Sequence, residues 1–332
     1  SIIQYLYTKK LKPINYDNRE FVPISNIINS KIFNGRVENQ LSYISSDELG
    51  FFNDNKKLNY NYIFLGDSFL NYTEIKKEKS FIYLLNNKLI YNMSLPNSGP
   101  LSQYAMVKEF INLQKFNALK KVIWFHSEEN DLARPYIIYK NKGGDLKIEY
   151  SLTLLKKYLN SSTYKQNIHP RLEEINKTLK IDKNLYKNNI NNYKNYFLIN
   201  IFSHSFYFIK KVFKDEPKKK LIRNFEENEI YYNSQLDIMN NILISMNELL
   251  EQNKIELTVV ILPDKFNCSI NKSHFLNKKL LKILKLNNIN YIDGKKAFIK
   301  EETCNAKNFN RYGHFSPLGH KNMSNFLKKK IF

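Results

Sequence analysis

The feature that most constrains the fold is an alternation. Short apolar runs, rich in β-branched and aromatic residues, each end abruptly at a turn former and are separated by stretches of helical periodicity. The runs fall at residues 60–65 (YNYIFL, cut off at Gly66), 89–95, 121–126 (KVIWFH), 257–262 (LTVVIL, stopped at Pro263-Asp264) and 290–292. The second is broken by Pro96-Asn97-Ser98-Gly99-Pro100. Between them lie helical patterns near 79–88, 101–117, 230–253, 274–286 and 317–330. In the second helix Tyr104, Val107, Phe110 and Ile111 share one face. In the third, Leu236, Met239, Ile242, Met246 and Leu250 form a stripe. Strands alternating with helices predict a parallel sheet covered on both faces. The expected fold is therefore α/β, a flavodoxin-like three-layer sandwich with a five-stranded parallel sheet. Ligand sites in such sheets lie at the carboxyl ends of the strands.

Two stretches stand outside this pattern. Residues 1–58 read as an irregular N-terminal arm, leaving 59–332 as the main domain. Between the third and fourth strands lie roughly 125 residues, far more than one crossover needs, so a largely helical insertion is expected over about 133–229. Within it, Tyr196–Phe213 places Leu198, Phe202, Phe206, Ile209 and Phe213 on one helical face, followed by Lys210, Lys211, Lys214 and Lys218 to Lys220. That segment reads either as a helix packed on its own domain or as one making membrane-surface contact.

Charge narrows the function classes without choosing one. The formal net charge is +21, almost all from lysine; arginine occurs only at Arg19, Arg36, Arg134, Arg171, Arg223 and Arg311. Bidentate recognition of phosphate and guanine favours arginine, so no nucleic-acid partner is expected. The joint abundance of Lys, Asn, Ile and Tyr fits either the codon bias of an AT-rich genome or attraction to an anionic membrane or polysaccharide. No run of about 20 apolar residues is present to span a bilayer. The chain opens on Ser1, and removal of a signal peptide or N-terminal anchor is an expectation. No metal or organic cofactor is expected.

The chemistry lies just past the strand ends. The first strand delivers Gly66-Asp67-Ser68, a tight turn that puts a hydroxyl at the sheet's edge, as a nucleophile or as a helix cap. The second leads to Asn97-Ser98-Gly99, residues that tolerate unusual backbone angles and can present N–H groups to an oxyanion. The third leads to Ser127-Glu128-Glu129-Asn130-Asp131, where an asparagine amide can join the same oxyanion hole. Before the last helix, Tyr312-Gly313-His314-Phe315-Ser316-Pro317-Leu318-Gly319-His320 offers His314 as a general base. Isolated His126 and His204 read as structural or exposed.

In this order the four segments resemble the SGNH or GDSL hydrolase superfamily, whose motif blocks supply Ser, Gly, Asn and His. The first block is similar at Ile63–Phe69, the second at Tyr91–Pro100, the third at Asn130-Asp131 and the last at His314–His320. The resemblance implies Ser68 as nucleophile and His314 as base. It implies an oxyanion hole from the amide of Ser68, a backbone amide at Asn97 or Gly99, and Asn130, with Asp67 and Asp131 in support. His320 is expected to order the start of the last helix.

Three positions depart from the family's pattern. The glycine of the second block falls at Asn97, with Gly99 two positions on. Glu128 or Glu129 replaces the glycine of the third, which would bring a carboxylate near His314. Most consequential, the acid three residues before the histidine is Arg311, and no Asp or Glu lies between Glu302 and His314. Some other group must orient the imidazole.

Cys268 follows the fourth strand and Cys304 the fifth. They read as two separate thiols or as one disulfide pinning the histidine loop in an oxidising compartment. The expected function is thus a serine-dependent ester hydrolase or O-acyltransferase working through a Ser-His acyl-enzyme. An acylated carbohydrate or lipid of the cell envelope is the expected substrate, and an extracytoplasmic location is expected. The alternative is a weak or inactive SGNH-like protein that binds glycan in polysaccharide assembly.

Overall fold

A computed structural model describes residues 31–37, 40–45, 47, 49, 51–53, 59–70, 75–94, 99–127, 131, 229–265, 268, 275–300, 303–310 and 313–332. The insertion expected over 133–229, apart from its last residue, and the Tyr196–Phe213 segment lie outside these. The chain divides into two units, 1–166 with 231–332, and 167–230. All that follows concerns the first.

Its centre is a five-stranded parallel sheet. Past an N-terminal hairpin, β1 (Lys31–Val37) and β2 (Gln40–Ser45), come β3 (Tyr62–Gly66), β4 (Ile90–Ser94), β5 (Lys121–Ser127), β6 (Glu256–Leu262) and β7 (Asn290–Asp293). The sheet order is β4-β3-β5-β6-β7, every pair parallel. That is the 2-1-3-4-5 order of flavodoxin-like folds, as the alternation in the sequence requires. Strands β3 to β6 are buried almost end to end, which is why they read as continuous apolar runs and not as alternating ones.

Helices cover both faces. Phe81 and Leu85 of α1 (Phe81–Leu85) pack with Met323 and Leu327 of α5 (Pro317–Ile331) on Phe64, Ile123, Phe125, Val260 and Leu262. On the opposite face Gln103 of α2 (Pro100–Phe110) accepts the indole N–H of Trp124. The Tyr104 hydroxyl bonds Ser245 of α3 (Glu229–Gln252), and Lys279 of α4 (Phe275–Leu286) reaches Asn233 of α3. The apolar stripes expected on α2 and α3 are buried. Two helices are shorter than their sequence patterns: 79–88 becomes a 3-10 turn plus α1, and 101–117 stops at Phe110 before a 3-10 turn at Gln114–Phe116.

The irregular arm expected over residues 1–58 is corrected in part. β1 and β2 pair antiparallel, with a register shift between Phe33 and Gly35. That shift interrupts the two-residue alternation by which a strand is recognised in sequence.

Further on, the arm closes the open edge of β4. Asn53 Nδ2 donates to the Asn92 carbonyl at 3.1 Å while the Asn92 amide donates to Asn53 Oδ1 at 2.9 Å, so one side-chain amide stands in for a neighbouring strand. Buried Asp47 fixes this turn. It accepts from the amides of Leu49 and Phe51, from Asn53 Nδ2 and from the Tyr91 hydroxyl.

Candidate active site

Ser68 owes its position to the two residues before it. A Cβ at Gly66 would stand 2.7 Å from Leu70 Cδ1 and 3.2 Å from the Phe125 carbonyl oxygen, so glycine lets the chain pass close to β5 without displacing either. Asp67 is buried, and its Oδ1 accepts the Phe69 amide at 3.0 Å. This Asx-type turn starts a 3-10 turn over Ser68–Leu70, with Phe69 and Leu70 buried beneath it. Ser68 is left partly exposed at the carboxyl edge of β3. As the first residue of that turn, its amide is one that a helical turn leaves without an internal acceptor.

His314 arrives from the other end of the chain. The segment before α5 folds back through an isolated bridge between Phe309 and Phe315. The Asn310 amide donates to the His314 carbonyl at 2.7 Å, and the Gly313 amide donates to the Asn310 carbonyl at 3.3 Å. Gly313 has φ +94°, a conformation that a side chain disfavours. Phe315 is buried against Phe69, Phe298 and Phe309, and the Phe69 ring meets the imidazole edge-on at 5.1 Å. The outcome is a distance of 2.9 Å between Ser68 Oγ and His314 Nε2. For Nε2 to accept the hydroxyl proton, the ring must carry its own proton on Nδ1.

The rest of the His314–His320 motif anchors α5. Ser316 caps it, accepting the Gly319 amide and donating to the Lys307 carbonyl, with Pro317 in the first turn. A Cβ at Gly319 would lie 2.1 Å from the Asn308 carbonyl oxygen. His320 does something other than order the start of the last helix. Its Nδ1 accepts the Phe81 amide at 3.2 Å, and its ring stacks on Phe81, so it caps α1 from within α5. That bond spans 239 residues, a relationship no local pattern reveals.

At the end of β5 lies a buried polar cluster. Asp131 Oδ2 accepts the Ser127 amide, four residues back along the chain, at 2.6 Å. His126 is not isolated, as the sequence suggests: its Nδ1 lies 3.4 Å from Asp131 Oδ2. Burial pushes the His126 imidazole down to about 3. Burial, and then the Asp67 carboxylate, push the Asp131 carboxyl well above its usual range against the pull of the Ser127 amide. Both groups are driven towards neutrality, so their contact is not an ion pair at neutral pH. The signal for the pair was the position of both residues at the end of one strand, five apart.

Of the other expected site residues, Gly99 precedes α2 in an extended conformation with open space about it. Asn97, Asn130, Glu128, Glu129, Arg311 and Tyr312 lie outside the described residues. Cys268 and Cys304 are joined in a disulfide, Cα to Cα 5.1 Å, that ties the segment after β6 to the short hairpin of β8 (Ile299–Lys300) and β9 (Thr303–Cys304). Among the described residues no group of three His, Cys, Asp or Glu side chains is placed to hold a metal. No helix of the described residues is long and apolar enough to cross a membrane.

No protein-family profile matches the chain, and no curated protein matches it. Among the solved structures similar to it are the following two. One, from Desulfitobacterium hafniense DCB-2, is described as a lipolytic protein of the G-D-S-L family; it shares 12% identity over 82% of this chain and 99% of its own, with a TM-score of 0.42. The other, from Bacteroides fragilis, is described as an acylhydrolase and shares 13% identity over 84% of this chain and 88% of its own, with a TM-score of 0.39.

Proposed function

We propose that this chain is a serine-dependent ester hydrolase or O-acyltransferase, with Ser68 as nucleophile and His314 as general base. The observation that carries the reading is the 2.9 Å separation of Ser68 Oγ and His314 Nε2 at the carboxyl edge of the sheet. In the reaction, Ser68 Oγ bonds to the ester carbonyl carbon as its proton passes to Nε2. The oxyanion that forms faces the Ser68 amide, with a donor from the Asn97–Gly99 loop and the Asn130 side chain as its further partners. Collapse expels the alcohol, which takes the proton from His314. A water or an acceptor hydroxyl then gives its proton to His314 and attacks the acyl-enzyme carbonyl; the second collapse breaks the bond to Ser68 Oγ, which takes that proton back from His314 as the acyl product leaves. Hydrolysis and transfer differ only in that second nucleophile.

An acylated carbohydrate or lipid of the cell envelope is the substrate class we favour, in an extracytoplasmic setting. The Cys268–Cys304 disulfide supports an oxidising compartment, and the net charge of +21 suits work near an anionic surface. A second reading, a glycan-binding protein without turnover, is favoured by one feature: Arg311 stands where an acid would orient the base.

Intact-mass detection of fluorophosphonate labelling separates the two. One adduct on the wild type, absent from Ser68→Ala, is the outcome for an activated serine. A folded wild type that takes up no adduct overturns the catalytic reading and leaves the binding protein.

A further inference from the structure

We propose that Lys265 is a positioning residue for His314, holding the base through its backbone where the sequence supplies no nearby acid. The inference rests on the Ser68–His314 reading above. Lys265 Nζ donates to the Asn310 carbonyl at 2.9 Å, and that same carbonyl takes the Gly313 amide. Asn310 in turn gives its amide to the His314 carbonyl at 2.7 Å. Asn310 is thus bonded to both Gly313 and His314, and an ammonium group from beyond the end of β6 holds the same carbonyl.

The two segments involved are 45 residues apart and meet only through tertiary structure. Lys265 sits three residues past the end of β6, and three residues further on Cys268 joins Cys304, just before the histidine loop. Two ties of different chemistry therefore link the same pair of segments. The disulfide sets their separation, and the lysine fixes the orientation of the turn that carries the base. A charge-assisted bond to a carbonyl is stronger than a neutral one, and Lys265 is partly buried, which limits competition from water. In the familiar triad a carboxylate orients the imidazole from its far nitrogen. Here the loop itself is clamped, and the edge of Phe69 borders the ring.

The test compares wild type, Lys265→Met and Lys265→Arg by fluorophosphonate inactivation kinetics and by amide hydrogen exchange of the 305–316 segment. A loop displaced by an ångström can cost ~10²-fold in rate. Lys265→Met is therefore expected to lose that much in the limiting inactivation rate constant, with the concentration for half-saturation and the unfolding midpoint unchanged. Lys265→Arg, which keeps a cationic donor, is expected to recover most of the rate. Exchange at 305–316 rises in the methionine variant only. A methionine variant that inactivates at the wild-type rate overturns the proposal while leaving the active serine intact. If the wild type itself does not react, the catalytic reading fails, and equal exchange in wild type and Lys265→Met then overturns the clamp independently.

Discussion

Ser68 Oγ and His314 Nε2 lie 2.9 Å apart although 246 residues separate them in the chain. Each arrives by its own turn, the serine by the Gly66-Asp67 corner and the histidine by the closed loop from Asn310. The Asp67–Phe69 bond lies within the serine's corner, and the Asn310–His314 and Gly313–Asn310 bonds lie within the histidine's turn. His314→Ala should therefore leave the serine in place but unactivated. General-base assistance contributes about 10²–10⁴-fold, and the variant's fluorophosphonate reaction should slow by that factor at unchanged stability. A rate equal to wild type would show that the serine reacts without this base.

How much of this was legible in the sequence follows from the range of each interaction. Strands β3 to β6 were legible because they are buried on both faces, and burial writes itself as unbroken runs such as KVIWFH. Ser68 and His314 were legible because glycine, aspartate and proline mark the corners that hold them. What the sequence could not give depends on contacts between distant residues. His320 bonding Phe81, Lys265 bonding Asn310 and Asn53 closing the edge of β4 each join residues tens to hundreds of positions apart. The side chains concerned are of common types with no distinctive spacing. The hairpin at 31–45 was missed for a local reason, since Asn34-Gly35 breaks the alternation where the register shifts.

Asp47 is the strongest case of a structural carboxylate. It accepts four hydrogen bonds at 2.6–3.0 Å, from Leu49, Phe51, Asn53 and Tyr91. Asp47→Ala strands several donors at once, and each buried unsatisfied group costs about 1–3 kcal/mol. A loss of about 2–4 kcal/mol in urea unfolding is expected. Tyr91→Phe, which removes one donor together with its need for a partner, should cost only about 1 kcal/mol. Combined, the two should be less than additive, because the tyrosine bond is lost in both.

Gly319 tests the packing of α5 against the histidine loop. A methyl there would meet the Asn308 carbonyl oxygen at 2.1 Å and Phe315 Cβ at 3.2 Å. Backbone cannot yield as a flexible side chain does, so Gly319→Ala should cost about 2–3 kcal/mol by overpacking despite the gain in helix propensity. Because Asn308 and Phe315 flank His314, the variant should also lose inactivation rate. Gly99→Ala, with nothing within 4 Å of the new methyl, is the matched control and should leave stability nearly unchanged.

The His126–Asp131 pair predicts how stability depends on pH. His126 is held neutral, with its folded value at about 3 against an ordinary 6.5. The unfolded chain therefore binds the extra proton between those values. Stability falls as pH drops below 6.5, and the loss is complete near 3. Between pH 7.5 and 5 this group alone removes about 2 kcal/mol. Asp131 acts in the opposite sense. Its folded value is raised, so its contribution is fully present below 3.8 and is lost as pH rises through the folded value. His126→Leu should flatten the acid side of the profile, and Asp131→Asn should remove the opposing slope. Urea unfolding at pH 5 and 7.5 on wild type, both single variants and the double variant separates the contributions. If wild type and His126→Leu lose equal stability between the two pH values, His126 is not held as a neutral imidazole in the folded protein.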